Sequence, residues 1–130
     1  MSLNKLAVKI NQTAHDKGWY ENPRSFGEVT ALFHSELSEA LEEWRNGHEL
    51  HEVYHVDRDG TGWLFEGSKD MMAWVKEHHV KPEGVPIELA DAIIRILDTC
   101  AENGIDIDTA IAAKMEYNES RPYRHGGKKA

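Results

Sequence analysis

The stretch Ser25-Phe26-Gly27-Glu28-Val29-Thr30-Ala31-Leu32-Phe33-His34-Ser35-Glu36-Leu37-Ser38-Glu39-Ala40-Leu41-Glu42-Glu43-Trp44 decides the architecture. Ser25 with Glu28 three residues on has the form of a capping box, which satisfies amides left open at a helix start. Val29, Phe33, Leu37, Ala40, Leu41 and Trp44 then recur every three or four residues, one stripe of a helix, until Asn46-Gly47 supplies a stop. The spacing predicts a helix of about five turns.

Upstream, Leu3, Leu6, Ala7, Ile10 and Ala14 predict a first amphipathic helix, broken by Gly18 and Asn22-Pro23. Downstream, Pro86 suits the first position of a third helix, with Leu89, Ala92, Ile93, Ile96, Leu97 and Cys100 as its apolar face and Asn103-Gly104 as its end. Asp106 or Asp108 can cap a fourth, carrying Ile111, Ala112, Met115 and Tyr117 before Arg121-Pro122. Between helices two and three, Val53, Val56, Trp63, Leu64 and Phe65 flank Asp57-Arg58-Asp59-Gly60-Thr61-Gly62, which reads as a small β-hairpin. Ser68 can cap a short helix with Met71, Met72, Trp74 and Val75, ended by Lys81-Pro82-Glu83-Gly84. The expectation is an all-α fold: a single domain over 1–130, a four-helix bundle with helices two and three antiparallel, and an insertion at about 49–82.

Composition sets the outer limits. With 23 Asp and Glu against 15 Lys and Arg, the net charge of −8 argues against a protein that coats nucleic acid polymers. A hydrophobic share of 40% beside 29% charged residues suits a globular domain. Cys100 stands alone, so no internal disulfide can form and a cytoplasmic setting is the default. Lys5, Lys9, His15 and Asp16 interrupt the opening segment as a signal peptide would not allow, and no run reaches the roughly 18 apolar residues of a membrane span.

Glu36, Glu39 and Glu43 are three and four apart, so their carboxylates share a helix face with Cβ atoms about 5 to 6 Å apart. Glu88 and Asp91 repeat the theme on the third helix, on a face with Arg95 and Asp98. Such stripes also occur as solvated faces of acidic proteins. Two of them on antiparallel helices can instead converge and offer several oxygens to a hard cation, for which Mg²⁺ is the natural occupant and substrate phosphates complete the octahedron. Lys114, Asn118 and Arg121, at spacings of four and three and followed by Arg124, suit phosphate, though bases also gather at helix C-termini to favour the macrodipole.

Trp19 and Tyr20, after the first helix, offer rings that can stack on a nucleobase or pack in the protein, while Phe33 and Trp44 fit a core. His48, His51, His55, His78 and His79 read as solvated residues, because a zinc site needs four ligands with a Cys or His partner set and the one cysteine is far away at position 100. Cys100, on an apolar face, reads as a buried thiol rather than a nucleophile. Gly126-Gly127 lacks the strand-loop-helix context of a phosphate loop and reads as tail.

The run Phe33 to Glu43, the later Glu88-Leu89-Ala90-Asp91, and Lys114-Met115-Glu116-Tyr117-Asn118 through Arg121-Pro122 resemble MazG-like proteins of the all-α NTP pyrophosphatase superfamily. That group is marked by E-x-x-E, then E-x-x-D, then K-x-x-x-N, and the three occur here in that order. The resemblance covers nearly the whole chain except the insertion, which makes the Glu39 to Glu88 connection longer than is common in the group. It implies a helical bundle, a homodimer or homotetramer, that hydrolyses nucleoside triphosphates between the α- and β-phosphates. It further implies that Glu36, Glu39, Glu88 and Asp91 bind Mg²⁺, with Mn²⁺ able to substitute, and that Lys114, Asn118 and Arg121 contact phosphate or sugar. Glu36, at the head of the motif, is the first candidate for the general base, with Glu39 or Glu43 as alternatives; Trp19 is the candidate for stacking on the base.

Two rival readings follow. Within the same group the dedicated substrate can be phosphoribosyl-ATP or dUTP, in place of surplus (deoxy)nucleoside triphosphates removed in nucleotide-pool house-cleaning. From another class comes a non-catalytic helical module that binds metal, nucleotide or a protein partner.

Overall fold

The computed structural model describes residues 2–56, 62–64 and 80–123, the middle segment as backbone. Its elements are α1 (Leu3–Asp16), α2 (Phe26–Arg45), β1 (Tyr54–Val56), β2 (Gly62–Leu64), β3 (Lys81–Glu83), α3 (Val85–Glu102) and α4 (Ile107–Ser120). The described residues are thus mostly helical, with a small sheet and no helix long and apolar enough to cross a membrane. They group into two compact units, Met1–Asn22 with Leu97–Ala130, and Pro23–Ile96.

In the first unit, α1 and α4 cap one another. Ser2 caps α1 through its hydroxyl, which accepts from Lys5 N. The Asp108 carboxylate accepts from Leu3 N at 2.9 Å, Asn4 N at 3.2 Å and the Ser2 hydroxyl at 2.6 Å. Asn4 Oδ1 in turn accepts from Ile107 N at 3.0 Å and Asp108 N at 3.3 Å. Of the two aspartates expected to compete for one cap, Asp106 therefore caps α4, and Asp108 puts negative charge on the positive end of α1. Ala7, Ala14, Leu97 and Cys100 are buried, and the buried Asp98 accepts from Tyr20 Oη at 2.7 Å and Asn11 Nδ2 at 2.9 Å.

In the second unit, the expected cap forms: Glu28 N donates to Ser25 Oγ at 3.1 Å, and the hydroxyl lies 3.3 Å from the Glu28 carboxylate. The sheet has the order β2-β1-β3, antiparallel throughout, with Tyr54 opposite Leu64 on one side and Glu83 on the other. The β1–β2 pairing is the anticipated hairpin. The third strand is a correction, because Lys81-Pro82-Glu83 read as a helix terminator; Pro82 is tolerated since β3 lies at the sheet edge. The Asp57–Thr61 loop, the short helix expected from Ser68 through Val75, His78-His79, Arg124 and Gly126-Gly127 lie outside the described residues.

Gly84 joins β3 to α3 with φ +124°, and a Cβ there would stand 2.4 Å from the carbonyl oxygen of Glu52. Only glycine combines that backbone with that approach. Gly84→Ala is expected to cost about 3 kcal/mol or more in urea unfolding, from strain and collision together; a loss under about 0.5 kcal/mol contradicts the packing of β3 against the chain at Glu52.

The apolar stripe of α2 is the larger correction. Of that stripe Ala40 is buried, but Leu37, Leu41 and Trp44, expected in a core, are exposed, Trp44 by 57%, and Glu36 is buried. On α3, Ala92, Leu97 and Cys100 are buried but Leu89, Ile93 and Ile96 are exposed. Glu36 on α2 and Glu88 on α3 are buried instead, Glu36 against Arg95. His55, expected in solvent, is fully buried, and burial pushes its pKa down.

Candidate carboxylate site

In the second unit, Arg95 Nε–H donates to Glu36 Oε1 at 2.6 Å, and the Glu39 carboxylate stands near enough to Glu88 to act on its charge. As residue numbers rise along α2 they fall along α3, so the two helices run antiparallel here. Glu36, Glu88 and Asp91 each present a carboxylate oxygen within 4.8 Å of the others. Glu36 and Glu88 are only 6% and 7% exposed, unusual for carboxylates. Glu39, the fourth predicted ligand, is exposed and is not among the carboxylates that meet within 4.8 Å.

Electrostatics report the crowding. Burial, the neighbouring Glu39 carboxylate and the Asp91 charge push the Glu88 pKa up from 4.5 to about 8. Burial and the Glu36 charge raise Asp91 as well, opposed by Arg95. At neutral pH a proton is therefore retained among anionic neighbours. All the candidate donors are hard carboxylate oxygens lying within 4.8 Å of one another, the donor type that a Mg²⁺ ion takes. The residues fit such an ion, which removes the repulsion the proton otherwise relieves.

A second group was missed in the sequence. Glu43, Glu83 and Glu88 also present oxygens within 4.8 Å of one another. Glu43 was visible as the end of the α2 stripe, but Glu83 sat in a stretch read as a turn. Its position five residues before Glu88 became meaningful only once β3 paired with β1. Tyr54 Oη donates to Glu43 Oε1 and Oε2, both at 2.9 Å. Lys81 Nζ lies 3.2 Å from Glu83, and that contact raises its pKa.

The remaining predicted residues belong to the first unit. Lys114 and Asn118 are exposed on α4, Arg121 is half-buried at its end, and none of the residues of α4 is buried. The Lys114 ammonium and Arg121 guanidinium stand 4.7 and 5.7 Å from the centre of the Tyr117 ring. Trp19, in the turn after α1, is 51% exposed. Tyr20 is tied up by Asp98 and stacks on His15 with centroids 4.4 Å apart, so its ring is packed rather than offered. Cys100 is buried, and burial pushes its thiol pKa up, away from nucleophilic use. Compared with protein-family models, curated proteins and solved structures, the chain matches none.

Proposed function

We propose that this chain is a Mg²⁺-dependent nucleoside triphosphate pyrophosphohydrolase with the MazG-like helical bundle its motifs suggest, cleaving a (d)NTP to (d)NMP and pyrophosphate. The observation that carries the reading is the convergence of E-x-x-E and E-x-x-D in one unit, with Glu36, Glu88 and Asp91 oxygens within 4.8 Å and the first two buried. A pair of solvated acidic faces would not bury its carboxylates and retain a proton among them.

In this reading Glu36, Glu88 and Asp91 hold the cation, and Glu39 stands beside them. A divalent ion bound there supplies neutralisation of phosphate charge and a lowered pKa for water. The water oxygen forms a bond to the α-phosphorus, the bridging bond to the β-phosphate breaks with its electron pair leaving on pyrophosphate, and a carboxylate takes the water's proton. Glu39 suits that last role better than Glu36, because it is exposed and lies outside the group of carboxylates that meet within 4.8 Å. One Glu36 oxygen is committed to Arg95. Lys114, Asn118 and Arg121 keep their proposed role as phosphate or sugar contacts, and Trp19 its role as a stacking ring. A homodimer or homotetramer belongs to the same reading, supported by the exposed Leu37, Leu41 and Trp44.

The test is product analysis with a panel of ribo- and deoxynucleoside triphosphates, dUTP and phosphoribosyl-ATP, with Mg²⁺, with Mn²⁺ and with chelator. Metal-dependent release of monophosphate and pyrophosphate is expected. Orthophosphate as the primary product, or no release from folded protein, contradicts the reading; tight nucleotide binding without hydrolysis selects the binding module instead.

A further inference from the structure

The two acidic motifs lie outside the segment that joins α2 to α3, yet β1 and β3 bring Tyr54 to Glu43 and Glu83 close to Glu88. Tyr54 on β1 donates its single phenolic proton between the two oxygens of Glu43, each 2.9 Å away. The imidazole of His48 stacks on the Tyr54 ring, centroids 4.5 Å apart and planes 11° from parallel. His48 Nε2 lies 3.5 Å from Glu43 Oε2, and its Nδ1 contacts the Glu52 carboxylate. Glu83 is the direct partner of Tyr54 in the β1–β3 register, so the strand pairing that places the donor also places Glu83. Gly84 then fixes β3 against the chain at Glu52, directly ahead of the helix that carries Glu88.

Glu43 faces Glu83 and Glu88 with oxygens within 4.8 Å. Like charges at that distance repel, and a glutamate on a helix surface has rotamers that lead away into solvent. Holding it inward requires a donor. Burial and the Glu43 carboxylate hold the Tyr54 pKa far above the usual phenol range, so the hydroxyl keeps its proton at any working pH.

We propose that Tyr54 is a positioning residue for the cation site: it holds Glu43 toward Glu83 and Glu88, which makes β1 an outer support of the metal-binding carboxylates. This rests on the cation-holding reading of Glu36, Glu88 and Asp91 given above. A third carboxylate held beside Glu88 deepens the negative potential there and favours a divalent ion, as outer partners of metal ligands do generally.

The experiment measures binding of Mn²⁺ alone to the full chain, by the electron paramagnetic resonance signal of the free ion, without nucleotide. Tyr54→Phe removes one oxygen and keeps the ring. It is expected to weaken Mn²⁺ binding about tenfold, with an unchanged circular dichroism spectrum. Glu43→Gln is expected to weaken it similarly, and the double variant no more than Glu43→Gln alone, since the hydroxyl acts through Glu43. A Tyr54→Phe constant within twofold of wild type, or losses that multiply in the double variant, overturns the proposal. If Tyr54→Phe does not fold, wild-type affinity in Glu43→Gln overturns it equally. Wild-type protein that binds no Mn²⁺ overturns it together with the cation reading. Protein that binds Mn²⁺ but hydrolyses no nucleotide removes the proposed reaction alone, and the same constants still decide on Tyr54.

Discussion

Glu36→Gln is expected to lower kcat about a thousandfold, the scale on which loss of a charged ligand to a catalytic cation acts. The amide keeps the volume of the side chain and an oxygen for the Arg95 Nε–H, which sits 2.6 Å from Glu36 Oε1 in the native protein. What it loses is the charge that a divalent ion needs. The variant should therefore keep its helical spectrum while losing turnover, and high Mg²⁺ should restore only part of the rate. Glu39→Gln is expected to fall about a hundredfold with Mg²⁺ dependence nearly unchanged, as befits a proton acceptor beside the ligands rather than one of them. Steady-state kinetics against Mg²⁺ concentration separates the two. A Glu36→Gln enzyme within tenfold of wild type removes Glu36 from the site.

The second large effect is on pH. Glu88 binds its proton up to about pH 8, well above its ordinary 4.5, and a metal ion must displace that proton. Affinity for Mg²⁺ or Mn²⁺ is expected to fall about tenfold per unit below pH 8, hence roughly a hundredfold between pH 8 and pH 6. Calorimetry in two buffers of different ionisation enthalpy should count about one proton released per ion at pH 7. The metal-free protein gives the complementary sign. With a raised pKa the folded state holds more protons than the unfolded one between 4.5 and about 8, so stability from Glu88 is fully present below 4.5 and is lost as pH rises through 8. Asp91, raised for the same reasons, acts in the same direction. Thermal unfolding with chelator should therefore weaken from pH 5 to pH 8.5, and Mg²⁺ should stabilise most at the upper end. Affinity that is flat from pH 6 to pH 8 contradicts the crowded site.

Much of the fold was legible because its signals are local. The Ser25 cap, the stops at Gly47 and Gly104, and the three- and four-residue apolar spacings gave all four described helices to within a few residues. Convergence of the two acidic pairs was expected if α2 and α3 packed antiparallel through their apolar stripes; Glu36 does meet Arg95, but much of those stripes is exposed. What the pattern could not supply was which face turns inward. Periodicity finds a stripe, and on α2 the stripe of Leu37, Leu41 and Trp44 lies outside, while Glu36 is buried against a guanidinium. A buried carboxylate is stable only with a partner distant in sequence, and Arg95 and Tyr54 are such partners. Asp108 was hidden for a similar reason: its partners are the first amides of α1, at the other end of the chain. β3 escaped because three residues containing a proline carry no alternation to read, and only an edge position permits them.

The central claim is that the carboxylates of α2 and α3 hold a divalent ion with which water attacks the α-phosphorus. It is tested most directly by running the hydrolysis panel in H₂¹⁸O with Mg²⁺ and, in parallel, with chelator, and weighing both products. The account predicts label in the nucleoside monophosphate, none in pyrophosphate, and no product at all with chelator. Label in pyrophosphate or orthophosphate, or turnover that ignores the chelator, would contradict it.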